Sequence, residues 1–278
     1  MSRIAECFQA LREHNKAALI PYITAGDPEP SLTVPLMHAL VEAGANLLEI
    51  GVPFSDPMAD GPVIQAACER ALKHHVGLTR VLEMVQRFRE ADDRTPVILM
   101  GYLNPIEVMG YQRFATSARH AGVDGVLTVD LPPEEAHDLI AQLKASELDP
   151  IFLAAPTSSD SRIRRMSQCG GGFLYYVSFK GVTGANRLDI QAVQNKVEQI
   201  RNLTDLPVGV GFGIRDAESA ASVAAFADAV VVGSALVNRI AQLAEQPGEV
   251  LARAPEVIAA MRRAMDESSL AARPSGTL

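Results

Sequence analysis

Two acidic side chains, Glu49 and Asp60, are the leading candidates for chemistry in this sequence. Glu49 lies inside the apolar run LLEIG that begins at Leu47, and Asp60 follows it after a proline-rich loop. An ionised carboxylate inside a buried strand is costly unless something uses it. No predicted strand carries a Lys or Arg that could form an internal ion pair with Glu49. The two carboxylates therefore form a candidate acid/base pair.

Asp60 also has a purely structural interpretation. An Asp that precedes Gly61 and Pro62 is well suited to an Asx turn or to the N-cap of a helix. Asp56, in the same loop, has the same alternative. The sequence alone leaves both interpretations open.

The composition argues against several classes of function. A formal net charge of -8 over 278 residues and a pI near 5.3 disfavour nucleic-acid binding. The three cysteines form no zinc or disulfide pattern, and the six histidines fall in helical segments, so we expect no metal. No apolar run reaches the roughly 18 residues of a membrane span. We therefore expect a cytoplasmic protein without a membrane segment.

Eight short apolar segments alternate with helical patterns, and no hairpin signal separates any two of them. This order predicts parallel strands joined by right-handed crossovers, with helices covering the sheet. The strands are predicted at 18–24, 47–51, 96–102, 125–129, 151–155, 173–178, 207–211 and 229–232. An open, doubly wound sheet is the alternative, but a count of eight favours closure into a (β/α)8 TIM barrel.

Extra helices are predicted at both ends of the chain, over 3–14 and 249–265. We expect one domain over 1–267 and a disordered tail over 268–278, because the tail has few bulky apolar residues. Between strands four and five, the segment PPEE from Pro132 predicts the first turn of a helix, since proline and acidic residues favour that position.

Barrel enzymes carry their active sites at the C-terminal ends of the strands. Glycine-rich segments around Gly184, Gly213 and Gly233 follow strands six, seven and eight. Glycine lets backbone N–H groups approach an anion closely, and a helix beginning near Ser234 adds a favourable dipole. These segments predict a phosphate site, although the left-handed turns of a barrel also need glycine.

Several apolar or aromatic side chains near strand ends could wall a flat pocket, although each taken alone is better explained as barrel filling. They are Tyr22, Met100, Leu127, Tyr175 and Phe212. Lys180 would suit a Schiff-base aldolase only if it were buried. We interpret it as solvated, because it lies beyond the strand in a glycine-bounded loop. The residues thus indicate a phosphorylated substrate with an apolar part, handled by two carboxylates without metal or covalent lysine.

Five motifs closely resemble the tryptophan synthase alpha subunit family, along essentially the full length of the chain. They are LEIGVPFSDPMADGPVIQ, GYLNP, FKGVTGA, GFGI and GSA. The first is long and specific, whereas the glycine segments alone do not separate this family from other phosphate-binding barrels. The resemblance implies a (β/α)8 barrel that cleaves indole-3-glycerol phosphate to indole and glyceraldehyde 3-phosphate. It also implies an α2β2 complex with a beta subunit that holds pyridoxal phosphate, with no cofactor in this chain.

The resemblance also implies roles for single residues. Glu49 matches the acid/base glutamate of the family, Asp60 its second carboxylate and Thr183 the threonine of a mobile loop. The loops after strand two and around Asn104 match the surface that faces beta. The phosphate contacts match Gly184, Gly213, Gly233 and Ser234. One departure is SFK at 178–180, where relatives often have Arg before GVTG, so the ion pair of that Arg on loop closure is not implied here.

Three rival functions remain at this point. The first is a self-sufficient lyase of the same chemistry that releases free indole without a beta subunit. The second is another phosphate-binding barrel, such as an isomerase or epimerase acting on a sugar phosphate. The third is a catalytically inactive subunit kept to activate beta, against which the intact Glu49 and Asp60 argue.

Overall fold

A computed structural model of the chain describes residues 2–178, 189–211 and 213–271. Its centre is a closed barrel of eight parallel strands that follow one another around the ring in chain order. The strands are β1 (Ala18–Thr24), β2 (Leu48–Gly51), β3 (Val97–Gly101), β4 (Gly125–Thr128), β5 (Asp149–Ala154), β6 (Leu174–Val177), β7 (Val208–Gly211) and β8 (Ala229–Val232). The (β/α)8 prediction is confirmed.

Helices cover the outside of this barrel, and each strand is followed by at least one of them. They are α1 (Arg3–Glu13), α2 (Pro30–Glu42), α3 (Pro62–Leu72), α4 (Leu78–Arg89), α5 (Leu103–Met109), α6 (Tyr111–Ala121), α7 (His137–Ala145), α8 (Asp160–Cys169), α9 (Ile190–Arg201), α10 (Ala217–Ala224), α11 (Ser234–Gln242), α12 (Pro247–Arg253) and α13 (Pro255–Ala271).

Alternate residues of each strand belong to two different cores. In β1, Ala18 and Ile20 lie in a cluster inside the ring, whereas Leu19 and Ile23 belong to the larger cluster between strands and helices. This alternation follows from the two-residue period of a strand, which sends successive side chains to opposite faces. Both faces are buried, so the strands read as nearly continuous apolar runs.

The extra helix α1 closes the N-terminal end of the barrel. Its Ile4 and Phe8 are buried in the inner cluster, and the Phe8 ring lies 5.8 Å from the ring of Phe173. Arg3 fastens the helix from outside through an ion pair of 2.9 Å to Asp124. The site must therefore open at the opposite, C-terminal end.

The structure corrects the predicted start of the helix after β4. The PPEE segment does not open that helix, because the Glu135 N–H donates to the Pro132 carbonyl oxygen at 3.0 Å in a turn, and α7 begins at His137. Pro133 disfavours helical backbone at the residue before it, which explains the later start.

The predicted C-terminal helix also differs from the structure. It consists of two helices, α12 and α13, separated at Ala254. The second runs to Ala271, into the segment expected to be disordered. Residues 272–278 lie outside the described part of the chain, so the expectation for them stays a prediction.

Candidate active site

Glu49 lies in the barrel wall with its side chain in a cavity at the C-terminal end. In β2 it pairs with Tyr22 of β1 on one side and with Ile98 of β3 on the other. Only 1% of its surface is exposed, and its Oε1 has no hydrogen-bond partner among the described residues. Burial, with a contribution from the charge of Asp60, raises the pKa of Glu49 to about 8. Glu49 is thus protonated at neutral pH and has an oxygen free for a ligand.

Asp60 ends the loop between β2 and α3, and its carboxylate is held by Tyr102. The Tyr102 hydroxyl donates to Asp60 Oδ2 at 2.9 Å and accepts from the Ala59 N–H at 3.0 Å. Burial raises the pKa of Asp60, and the hydrogen bond from Tyr102 opposes that effect. The N-cap of α3 is Gly61, without a side-chain cap hydrogen bond. Asp60 therefore does not cap the helix.

The two carboxylates share one cavity of about 110 Å³. Its walls are mostly apolar or aromatic, and its mouth is edged by glycine and serine. The lining residues are Tyr22, Glu49, Asp60, Gly61, Ile64, Met100, Tyr175, Gly213, Ile214, Val231, Gly233 and Ser234. A small, largely apolar pocket with a few converging polar groups is the usual form of an enzyme site.

Two glycines make room for the tyrosines of this cavity. A Cβ atom added to Gly51 would collide with the hydroxyl of Tyr22, and one added to Gly211 would collide with the hydroxyl of Tyr175. Burial raises the pKa of both tyrosines well above its ordinary value, so both hydroxyls stay protonated. The hydroxyl of Tyr22 lies 3.2 Å from Thr24 Oγ1.

The predicted phosphate residues that the structure describes lie together at the cavity mouth. Gly213 has a φ of +80°, which a side chain would strain. Gly233 is the N-cap of α11 without a side-chain cap, and Ser234 is its first residue. Because the first-turn N–H groups of a helix lack intrahelical partners, they and the helix dipole favour an anion here.

The family model described as "Tryptophan synthase alpha chain" matches residues 8–266. The chain belongs to the tryptophan synthase alpha chain family. An alpha chain from Thioalkalivibrio sulfidiphilus is 64% identical over 96% of this chain and 100% of its own length. One from Methylococcus capsulatus is 60% identical over the same shares. The crystal structure of subunit alpha from Legionella pneumophila superposes with a TM-score of 0.91 at 48% identity, covering 96% of this chain and 99% of that one.

Tryptophan synthase alpha chains are lyases of tryptophan biosynthesis. They cleave indole-3-glycerol phosphate to indole and glyceraldehyde 3-phosphate, and they work with a beta subunit. In the described part of this alpha chain, no cluster of His, Cys, Asp or Glu is arranged to hold a metal ion. No helix in that part is long and apolar enough to cross a membrane.

One predicted site residue that the structure describes, Leu127, does not contribute to the observed cavity. Leu127 is 1% exposed and packs in the inner cluster with Ile98 and Ile151, and it does not line the cavity of this alpha chain. Three further predictions lie outside the described residues, so the structure gives no position for them. These are Thr183, Gly184 and Phe212.

The structure also adds residues that the sequence reasoning did not assign to the site. Val231 could have been found from the sequence. It lies two residues after Ala229 in β8, so both side chains face the barrel interior. Ile64 and Ile214 follow the strands in loops and helices, where the two-residue period gives no guidance. The role of Tyr102 in holding Asp60 depends on a contact between residues that are 42 positions apart in the sequence.

Proposed function

We propose that this chain cleaves indole-3-glycerol phosphate with Glu49 as the acid/base group and Asp60 as its electrostatic partner. The observation that carries the proposal is Glu49 itself, a buried carboxyl with a pKa of about 8 and an unpartnered oxygen in the cavity that Asp60 lines. Perturbed titratable groups in a cleft are typical of catalytic sites. The family membership supplies the substrate.

The reaction is a retro-aldol cleavage. The indole ring is a poor leaving group until its side-chain-bearing carbon is protonated, and the protonated Glu49 donates that proton. Asp60 accepts a hydrogen bond from the ring N–H and stabilises the cation that forms. Glu49, now ionised, takes the proton of the substrate hydroxyl as the carbon–carbon bond breaks. The bonding electrons restore the neutral indole ring, and the hydroxyl carbon becomes the aldehyde of glyceraldehyde 3-phosphate.

The substrate phosphate binds at the mouth of the cavity, opposite the carboxylates. Gly213, Gly233 and Ser234 support this proposal, because all three line the cavity, and Gly233 and Ser234 form a helix N-terminus without a side-chain cap. The family resemblance adds Gly184 to the phosphate site. It also adds Thr183 as a loop residue that closes on the substrate.

The indole ring of the substrate lies against the apolar wall of the cavity. Tyr22, Met100 and Tyr175 line that wall next to Glu49, which supports their assignment. The position of Phe212 directly after β7 adds this residue to the proposed pocket.

The proposed partner is a beta subunit that holds pyridoxal phosphate, in an α2β2 assembly. Support comes from the surface near the cavity mouth, where Met58 is 82% exposed and Val108 is 83% exposed. They lie in the loop after β2 and in α5, which contains Asn104. Both segments are therefore the ones that the family resemblance assigns to the surface facing beta. With the biosynthetic role of the family, we also propose a cytoplasmic location.

The test is a turnover assay on indole-3-glycerol phosphate, with and without a beta subunit from a relative. We expect indole and glyceraldehyde 3-phosphate in equal amounts, and faster turnover when the beta subunit is present. Turnover of a sugar phosphate with no activity on the indole substrate would favour an isomerase or epimerase. Full activity without beta that beta does not change would favour a self-sufficient lyase.

A further inference from the structure

The position of Asp60 is not set by packing of its own loop. The loop between β2 and α3 is mostly exposed at Ser55, Asp56, Met58 and Ala59. Inside it, the Asp60 N–H donates to the Pro57 carbonyl oxygen at 3.1 Å, which closes a single turn. Exposed turns of this kind are among the least stable parts of a fold. A contact from outside the loop must therefore fix the position of this turn relative to Glu49.

Gln65, in the first half of α3, makes that external contact. Its side-chain Nε2 donates to the carbonyl oxygen of Asp60 at 2.8 Å and to that of Pro57 at 3.4 Å. The two carbonyl groups are the two ends of the turn that presents the Asp60 carboxylate. A single amide group thus ties both ends of the turn to a helix.

The helix that carries Gln65 is itself fixed to the barrel. Arg70 of α3 forms a bidentate ion pair with Asp27, with distances of 2.6 and 2.8 Å, and the Asp27 side chain is 1% exposed. Paired charge-assisted hydrogen bonds of this geometry are among the strongest in proteins. Cys68 of the same helix is buried, which also holds α3 against the barrel.

We infer that Gln65 is a positioning residue, which holds the main chain of Asp60 while Tyr102 holds its carboxylate. The inference rests on the proposed role of Asp60 in catalysis. Tyr102 acts from the N-cap of α5, directly after β3, and Gln65 acts from α3, so Asp60 is restrained from two independent elements. Loss of the Gln65 contact frees the turn, and the carboxylate then meets the developing ring cation in a poorer position. Transition-state stabilisation falls, while the cavity that binds substrate is unchanged.

The experiment is a double-mutant cycle on the whole protein, with steady-state indole formation over a range of substrate concentrations as the readout. The variants are Gln65→Met, which keeps the length but donates no hydrogen bond, Asp60→Asn, and the two combined. We expect Gln65→Met to lower kcat roughly 10- to 100-fold with KM unchanged, because small misplacements of a reacting group carry costs of that size. In the Asp60→Asn background, the same substitution should cause no further loss.

A matched control is Gln9→Met, on the exposed side of α1, where Gln9 donates only to Glu13 at 3.1 Å. It should leave kcat at the parent value. If Gln65→Met does not fold, Gln65→Glu takes its place, since an ionised carboxylate of the same length cannot donate to the two carbonyl groups. The same pattern of losses is expected from it.

Two results would overturn the inference alone. One is an unchanged kcat in Gln65→Met while Asp60→Asn is impaired. The other is an equal fold-loss from Gln65→Met in both backgrounds, which would indicate a general structural role. If Asp60→Asn retains the parent kcat, the proposed role of Asp60 fails first, and the inference falls with it.

Discussion

Asp124, at the N-terminal end of β4, and Glu49, in β2 facing the cavity at the other end, are both almost completely buried. Asp124 accepts hydrogen bonds from Arg3 Nη1 at 2.9 Å, from Arg89 Nη2 at 2.7 Å and from the Val97 N–H at 2.8 Å. Glu49 has an oxygen with no partner in the described part of the chain, and burial raises its pKa to about 8.

The difference separates a carboxylate that holds the fold together from one that is available for chemistry. Burial of a charge is tolerated when its oxygens are paired, as they are at Asp124. Glu49 avoids the cost of a buried charge by staying protonated, so it is a neutral carboxylic acid that faces the cavity. The same residue class thus serves stability at one end of the barrel and the proposed reaction at the other.

The largest expected effect is on the activity of Glu49→Gln. The substitution keeps the size of the side chain but removes its titrating proton, so indole formation should fall by about 10² to 10⁴-fold or more. Steady-state and single-turnover assays on indole-3-glycerol phosphate measure this loss. Near-normal turnover by the variant would show that Glu49 is not the acid/base group. Glu49 would then not differ from Asp124 in serving the reaction.

Asp124→Asn should show the opposite pattern, with a loss of stability and no loss of activity. It weakens a buried pair and leaves Arg89, which is 10% exposed, with only the more distant carboxylate of Asp92 at 4.0 Å. Breaking such a pair typically costs about 3–5 kcal/mol of unfolding free energy. Urea unfolding gives the cost, and kcat measured well below the melting temperature should match the parent. A fall in kcat with stability intact would contradict the structural role.

The stability of the parent should depend on pH through Glu49. Its pKa is raised from 4.5 to about 8, so the folded state holds a proton that the unfolded chain has released in this window. The contribution of Glu49 to the unfolding free energy is therefore highest below pH 4.5 and falls as the pH rises towards 8. Glu49→Gln lacks this term, so its stability relative to the parent should rise by a few kcal/mol between pH 5 and 8. Parallel melting curves that keep a constant gap across that range would show that Glu49 titrates normally.

Tyr102→Phe tests how firmly Asp60 must be held. It removes a hydrogen bond to a charged group, a change of roughly 1.5–3 kcal/mol, and should lower kcat about tenfold or more. Because that hydrogen bond lowers the pKa of Asp60, the acid limb of the pH–rate profile should move to higher pH. Tyr111→Phe is the matched control, since the Tyr111 hydroxyl donates only to the exposed Glu107. An unmoved acid limb would mean that Asp60 does not depend on Tyr102.

Ser234→Ala should have the smallest effect. Loss of one hydroxyl at the proposed phosphate site is worth about 0.5–1.5 kcal/mol, so KM should rise by roughly 2- to 10-fold with kcat unchanged. Ser222→Ala, on the exposed side of α10, gives the baseline for a serine that only donates to a backbone carbonyl. Equal KM values in the two variants would argue against phosphate binding at the start of α11.

The barrel was predictable from the sequence because strand and helix periods are local. The limits of β1 and β8 agree with the predicted segments, since each is a short apolar run bounded by turn residues. The late start of α7 was missed because two rules compete at Pro132 and Pro133, one for helix starts and one for residues before proline. Such competition is decided by surrounding contacts, which the local sequence does not contain.

The site was predictable in part for the same reason. Glu49 was identified by a charge inside an apolar run, a signal that needs no knowledge of the fold. Whether Asp60 would cap a helix or line a cavity was open, because its partner Tyr102 comes from a distant segment, the N-cap of α5. The contacts that hold the site in place, including those of Gln65, depend on how α3 lies against the barrel.

Closure of this barrel requires contacts between segments that are far apart in the sequence. Ser2 Oγ donates to Asp149 across a separation of 147 residues, and β1 completes the ring by pairing with β8. Contacts of such high sequence separation form slowly, because the intervening chain must first be ordered. During synthesis, we therefore expect the inner faces of the early strands to stay only partly covered until β8 leaves the ribosome. Over that interval they are accessible to chaperones and to other nascent chains.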